Sequence, residues 1–452
     1  MQKRDSRRAL RRGVVVCLIL TVAALVLGCS KPPPPGSGAS PASPVGAPGG
    51  PGAAAQGGER VATGETAAAG AQIGVTRTAP RKVPGLPIGD GYTVGAAKVI
   101  GNLAVFPVYA SVQENFGDFT TLDAALERGT ADVRELGPAA GSAAPRQDDE
   151  PVQQRIDEPV QQRIDEPIQQ QVRGGDGAQV NTLVIENKGE LPILVLAGTI
   201  VKGGKQDRQI GQDFVVAAKQ TVPVDAFCVE HGRWTGVRDG SATGGKFSTM
   251  KVLATAKVRE AGQYKRDQSE VWSKVGEVNR AHKQQTASDT LVASVENGEV
   301  AKRREALARE ATSYLGAVES AEDVVGLAYA VDGRVRGVRL FMNRKLFSMF
   351  QDTLAGTAAQ DALTAEEEAR AAGKPVPPGA AAPEAVERFI TGVQAAKAEE
   401  QSTRAGNVNS YQFSDEGYGS AVHAASPAAD APSAKGAPPA KPKAITKDFL
   451  AK

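Results

Sequence analysis

The sequence predicts an α+β fold: an antiparallel, β-rich, sandwich-like half followed by amphipathic helices, with long disordered segments. Three observations predict it. Apolar runs between 180 and 229 are separated by short turns rich in Gly and Lys, the pattern of sequential antiparallel strands. From 271 onward apolar residues recur every three or four positions, the period of a helix. Residues 30–84 and 424–443 are dominated by Pro, Gly, Ala, Ser and Lys, with too few apolar groups to offset chain entropy.

The elements follow in chain order. Lys3, Arg4, Arg7, Arg8, Arg11 and Arg12 stand against one acid, Asp5, and an apolar stretch runs from Gly13 to Leu27. Gly28-Cys29 ends it. A basic region, an apolar core and a small residue at the cut make residues 1–28 a secretory signal. Cysteine straight after the cut makes it a lipoprotein signal, with Cys29 as the lipid-bearing residue. The apolar run is shorter than the ~20 residues of a membrane-spanning helix, and an uncleaved anchor helix is the alternative. The expected location is the cell membrane or outer membrane, outside the cytoplasm. Ser30, by resemblance to other bacterial lipoproteins, favours the outer membrane.

Loss of residues 1–28 removes six bases and one acid, taking the formal charge from +2 to −3. A near-neutral mature chain offers no whole-protein field for nucleic acid. Cys17 leaves with the signal and Cys29 takes lipid, so Cys228 alone remains and no internal disulfide framework is expected.

Residues 29–89 read as a disordered Pro/Gly/Ala tether with a reach of roughly 40 Å. The globular domain is expected over 90–355. Val99 to Tyr109 reads as a strand, with Pro107 marking an edge or a strand end. Thr120 to Gly129 reads as a short helix capped by Thr120. An insertion over 139–179 carries three tandem copies of an eight-residue unit (149–172, Asp-Glu-Pro-Val-Gln-Gln-Arg-Ile in the first two). Its prolines forbid a continuous helix, leaving a surface loop or a docking strip. Val180–Glu186, Pro192–Val201, Phe214–Val216 and Thr221–Val229 read as strands.

Val271, Val275, Val278 and His282 share a helix face, as do Val300, Leu307, Ala311, Tyr314, Leu315 and Val318. Val324–Val331 and Arg336–Phe341 form a hairpin around Asp332-Gly333, and Asn343 caps a helix carrying Leu346, Phe347, Phe350 and Leu354. An Ala/Pro-rich linker is expected over 356–383. A helix in a short accessory segment over 384–420 and a disordered tail over 421–452 follow.

Three strings carry candidate chemistry. In Gly203-Gly204-Lys205-Gln206-Asp207-Arg208 a glycine pair lets backbone amides approach a ligand, and Lys205 and Arg208 add positive charge for phosphate or carboxylate. It is not a Walker loop, and a polar hairpin turn fits the same residues. In Phe227-Cys228-Val229-Glu230, Cys228 is either a thiolate nucleophile or a buried small hydrophobe, and Glu230 is a candidate acid/base. In His231-Gly232-Arg233-Trp234, Arg233 and Trp234 suit a planar ring or a phosphate, or a pair that closes the sheet. Three histidines and one spare cysteine make a zinc site of the usual kind unexpected, and no cofactor motif is present.

These strings, with Gly101-Asn102-Leu103, Val105-Phe106-Pro107, Thr121-Leu122-Asp123-Ala124-Ala125-Leu126 and Leu196-Ala197-Gly198, carry a resemblance. The chain resembles the ADP-ribosylglycohydrolase- and rhodanese-phosphatase-superfamily-associated protein domain, a family of unknown activity, over roughly 95–350. The family often has Asn at the position of Asp207. The resemblance implies a setting of ADP-ribose and NAD-derived metabolites, and hence a nucleotide or phosphoryl ligand for Lys205, Arg208, Arg233 and Trp234.

Three functions are open on this reading. The first is a lipid-tethered module that binds a small anionic, nucleotide-like ligand or a protein partner through Gly203, Gly204, Lys205, Gln206, Arg208, Arg233 and Trp234. The second is an enzyme on a nucleotide or ADP-ribose-type substrate, with Glu230, Cys228 and Asp207 as candidate catalytic groups. The third is a structural envelope lipoprotein. No complete catalytic constellation is visible, which favours the first over the second.

Overall fold

A computed structural model describes residues 76–136, 182–238, 240–403, 405–423 and 444–452. The expected signal, Cys29, residues 30–75 of the expected tether, the tandem repeat and the 424–443 stretch lie outside the described residues, while the end of the 29–89 tether forms the strands Thr76–Arg77 and Leu86–Gly89. Within them the chain is an α+β mixture of antiparallel sheets and helices.

The largest sheet has ten strands. Its path runs Leu86–Gly89, Tyr92–Val94, Leu103–Ala110, Val324–Val331, Arg334–Phe341, Ala444–Ala451, Gly417–His423, Val408–Phe413, Glu399–Ser402, and Lys98–Ile100 pairs alongside Leu103–Ala110. Every pairing in it is antiparallel. The Leu103–Ala110 strand is buried throughout because both faces are covered. Leu103, Val105 and Tyr109 join one core with Phe341 at the end of its strand and with Phe347 and Phe350 of the Arg344–Ala371 helix. Ala104, Phe106 and Val108 join another with Val386, Phe389 and Ile390 of the Pro383–Gln394 helix. The period of two thus divides one strand between two cores.

A second sheet has six strands in the order Phe247–Leu253, Thr199–Gly203, Arg208–Ile210, Thr221–Cys228, Thr182–Asn187, Ala131–Glu135. Val271, Val275 and Val278 of the Gln268–Ala281 helix pack on it with Val229, Val258 and Leu291. Its opposite side shares a core with Ile193, Val195 and Phe214 of a small three-stranded sheet.

Several expectations are corrected. Val99 to Tyr109 is a hairpin, Lys98–Ile100 and Leu103–Ala110, because Gly101 turns at φ +63°. Pro107 sits in an inner strand, where the neighbour changes from Lys98–Ile100 to Tyr92–Val94 and no ladder N–H is required. The first helix is Leu122–Glu127, capped by Thr121, whose Oγ1 accepts from Ala124 N at 3.1 Å. Pro192–Val201 divides into Ile193–Val195 and Thr199–Gly203, in different sheets.

The linker expected from 356 is helical to Ala371. Gly356 does not stop that helix. Its bare face lets Val252 approach, an ideal Cβ there lying 3.0 Å from Val252 Cγ1. The tail expected from 421 contributes the strands Gly417–His423 and Ala444–Ala451, the second lying inside the large sheet.

Candidate functional site

The glycine pair ends one strand of the six-stranded sheet, and Gln206, Asp207 and Arg208 lead into the next. Across that strand Arg208 faces Cys228, so the 203–208 and 227–234 strings lie side by side. Gly203 (φ +143°) and Gly204 (φ +49°) are needed, but the close neighbour is not a ligand. A Cβ on Gly203 would lie 2.0 Å from the Lys246 carbonyl oxygen, and one on Gly204 2.2 Å from Phe247 Cζ. The pair admits the adjoining strand.

The polar residues that follow are buried: Gln206, Asp207, Arg208, Glu230 and Arg233 are all less than 9% exposed. Arg233 uses all five of its N–H donors inside the protein. Nε donates to Glu230 Oε1 (2.9 Å) and Nη2 to Glu230 Oε2 (2.8 Å) and Gly203 O (3.2 Å). Nη1 donates to Gly204 O (2.7 Å) and Thr235 O (2.9 Å). Glu230 Oε2 also accepts from Asp207 N at 2.9 Å.

Asp207 is a second hub. Its carboxylate accepts from Gly203 N (3.0 Å), from both Nη atoms of Arg238 (2.6 and 2.7 Å) and from Thr290 Oγ1 (2.7 Å). Arg208 Nη1 donates to Gln206 Oε1 at 3.0 Å, Gln206 Nε2 donates to Glu230 O at 3.0 Å, and Glu135 Oε1 accepts from Lys205 N at 2.8 Å. Arg208, Arg233 and Arg238 are thus matched by Glu135, Asp207 and Glu230.

A cleft of about 490 Å³ opens against this network. Glu230, Arg233 and Trp234 line it, while Lys205, Gln206, Asp207 and Arg208 do not. The indole of Trp234, 43% exposed, stands at its wall. Lys202, Thr235, Arg238, Thr286, Ser288, Thr290 and Glu296 complete the polar lining. Lys202 Nζ donates to Glu296 at 2.7 Å in a pair that is partly open to solvent.

The sequence strings therefore contribute Glu230, Gly232, Arg233 and Trp234 to the cleft wall, and Lys205, Gln206, Asp207 and Arg208 to the framework behind it. Lys202, Arg238 and Thr290 were missed. Arg238 stands in a Gly-rich stretch with no periodicity to mark it. Thr290 had a usable signal, a threonine directly before an apolar run, and it does cap Leu291–Glu296 by accepting from Val292 N.

None of the three candidate catalytic groups is poised for proton or acyl transfer: the Asp207 carboxylate is taken up by Gly203 N, Arg238 and Thr290. Burial pushes the Cys228 thiol up, opposite to the direction a nucleophile needs, although Arg208 opposes the shift. His231 does not supply a base aimed at it in any hydrogen bond; its ring packs edge-on against Trp272 at 4.6 Å. Both oxygens of Glu230 are held by Arg233 and Asp207 N. Among the described residues no cluster of His, Cys, Asp and Glu has metal-binding geometry, and no helix is long and apolar enough to cross a membrane.

No curated protein and no solved structure matches the chain. One family does. The model of the ARG and Rhodanese-Phosphatase-superfamily-associated Protein domain (ARPP-1) matches residues 91–429, a span that takes in the six-stranded sheet, the cleft and every described helix. The chain belongs to the ARPP-1 domain family, whose activity is unknown.

Proposed function

We propose that this is an exported envelope protein, tethered by lipid on Cys29 and favouring the outer membrane, whose ARPP-1 domain binds a small anionic ligand of nucleotide or ADP-ribose type. The observation that carries the binding reading is the Trp234 cleft. An exposed indole beside Thr286 and Ser288 hydroxyls offers a stacking face and hydroxyl partners to a planar, sugar-bearing molecule. The ligand's negative charge is met by Lys202. Its surface pair with Glu296 is of the kind worth at most ~1 kcal/mol, so an anion can take Glu296's place. Arg233, in the cleft wall, and Arg208, behind it, support the cleft's shape, because their charges are already matched. With Glu230 fully engaged, the reading is binding without turnover.

The test is thermal unfolding of the full chain in detergent with ADP-ribose, NAD, other nucleotides and inorganic phosphate. A ligand at 100 times its dissociation constant adds about 2.7 kcal/mol. The expected result is a shift with a nucleotide-type compound that Trp234→Ala and Lys202→Ala both abolish. No shift from well-folded protein would sink the binding reading. It would leave the structural one, which the complete internal use of Arg233 favours. The tether is tested separately by intact mass of the membrane fraction: a chain beginning at a lipid-modified Cys29 is expected, and an unmodified one overturns it.

A further inference from the structure

Away from the cleft, a second set of charges is buried. Arg259, Arg339, Asp213 and Asp448 are each about 3% exposed or less. Arg339 Nη1 donates to Asp213 Oδ2 at 2.6 Å, and Arg259 Nη1 lies 3.3 Å from Asp448 Oδ2. Tyr264 OH and Gln263 Nε2 each donate to Asp448 Oδ2 at 3.1 Å. These residues come from three places: the large sheet (Arg339, Asp448), the Ala256–Arg259 helix with the single π-helical turn Glu260–Tyr264 after it, and the strand-flanking Asp213. The cluster ties the large sheet to the half of the chain that carries the cleft.

Its donors are not all satisfied by protein. Arg259 Nε, Arg339 Nε and Arg339 Nη2 are buried with no hydrogen-bond partner, and Arg339 Nη2 stands 3.3 Å from Asp448 Oδ1 without the alignment for a bond. Leaving a buried charged donor unmade costs upward of ~1–3 kcal/mol per group. Beside them lies an enclosed cavity of about 20 Å³, lined by Arg259, Arg339 and Asp448 with Tyr329, Val338 and Leu354. A cavity needs roughly 10–15 Å³ and two to four polar partners to hold one water.

We propose that this cavity is a binding site for one structural water, which accepts from two of the arginine N–H donors and donates to Asp448. The occupant is neutral because two arginines already match two aspartates. A halide would leave the cluster with surplus negative charge beside Asp361, itself buried and bonded to Tyr329 OH at 2.6 Å.

The test is a crystal structure of the full chain at a resolution that defines waters, with a parallel bromide soak. Spherical density within hydrogen-bond distance of Arg339 and Asp448, with no anomalous signal after the soak, is the expected result. An empty cavity, or a bromide peak in it, overturns the proposal.

Discussion

Arg233 ties two chain segments together through one planar group: its own, at Glu230 and Thr235, and the 203–207 turn, at Gly203, Gly204 and, through Glu230, the Asp207 amide. A lysine offers three donors from a point and cannot reproduce that fork. Arg233→Lys and Glu230→Gln are therefore both expected to destabilise, by about 3–5 kcal/mol where a buried charge is left without its partner. Urea unfolding checks this; a change under ~1 kcal/mol for both would refute the framework role. Trp234→Ala, at an exposed position, should leave the unfolding midpoint nearly unchanged.

His282 makes a different prediction. Burial lowers its pKa below the ordinary value of 6.5, with Glu367 and Glu368 opposing the shift and Arg303 and Arg304 adding to it. The unfolded chain then takes up the proton first. This contribution to stability is present above about pH 6.5 and is lost as pH falls through the window below it, with a slope of at most ~1.4 kcal/mol per pH unit. The slope below pH 6.5 should flatten in His282→Gln, and an identical pH profile would refute it.

At the scale of elements, the glycine pair shows what sequence reveals and what it hides. That Gly203 and Gly204 require close backbone approach was legible; that the approaching group is Lys246-Phe247 was not, because the partner strand is more than forty residues away. Gly203→Ala should cost several kcal/mol through overlap with the Lys246 carbonyl, read as a lowered unfolding midpoint; a near-wild-type midpoint would count against the observed pairing. Strands and helices with a clean period were legible, such as Phe214–Val216 and the Asn343-capped helix, where Oδ1 accepts from Leu346 N at 2.8 Å.

Elements set by tertiary contact were not legible. The Ala-rich 356–371 stretch looks like a linker by composition, yet Ala355, Ala358, Ala359 and Ala362 are fully buried. Small side chains there allow close packing; they do not signal disorder. The candidate site shares this limit. The strings marked a polar focus, but charge in a sequence carries no sign of whether a carboxylate will neutralise it, as Glu135, Asp207 and Glu230 do here.

At the scale of the whole molecule, the segment 444–451 is the sharpest departure from expectation. It pairs with Arg334–Phe341 on one side and Gly417–His423 on the other, with Ile445, Phe449 and Leu450 buried. Deleting 444–452 should abolish cooperative unfolding and make the domain protease-sensitive, whereas a dispensable tail would leave both unchanged.

The same strand bears on the order in which the molecule can form. Leu103–Ala110 must wait for Val324–Val331, and Arg334–Phe341 for Ala444–Ala451, so loops of more than a hundred residues close before these ladders exist. A chain emerging N-terminus first can complete its six-stranded sheet once Leu253 is out, but not its ten-stranded sheet until residue 451 is out. Nearly the whole polypeptide is thus delivered before the large sheet can lock, which leaves its unpaired strand edges open to aggregation until the last ladder closes.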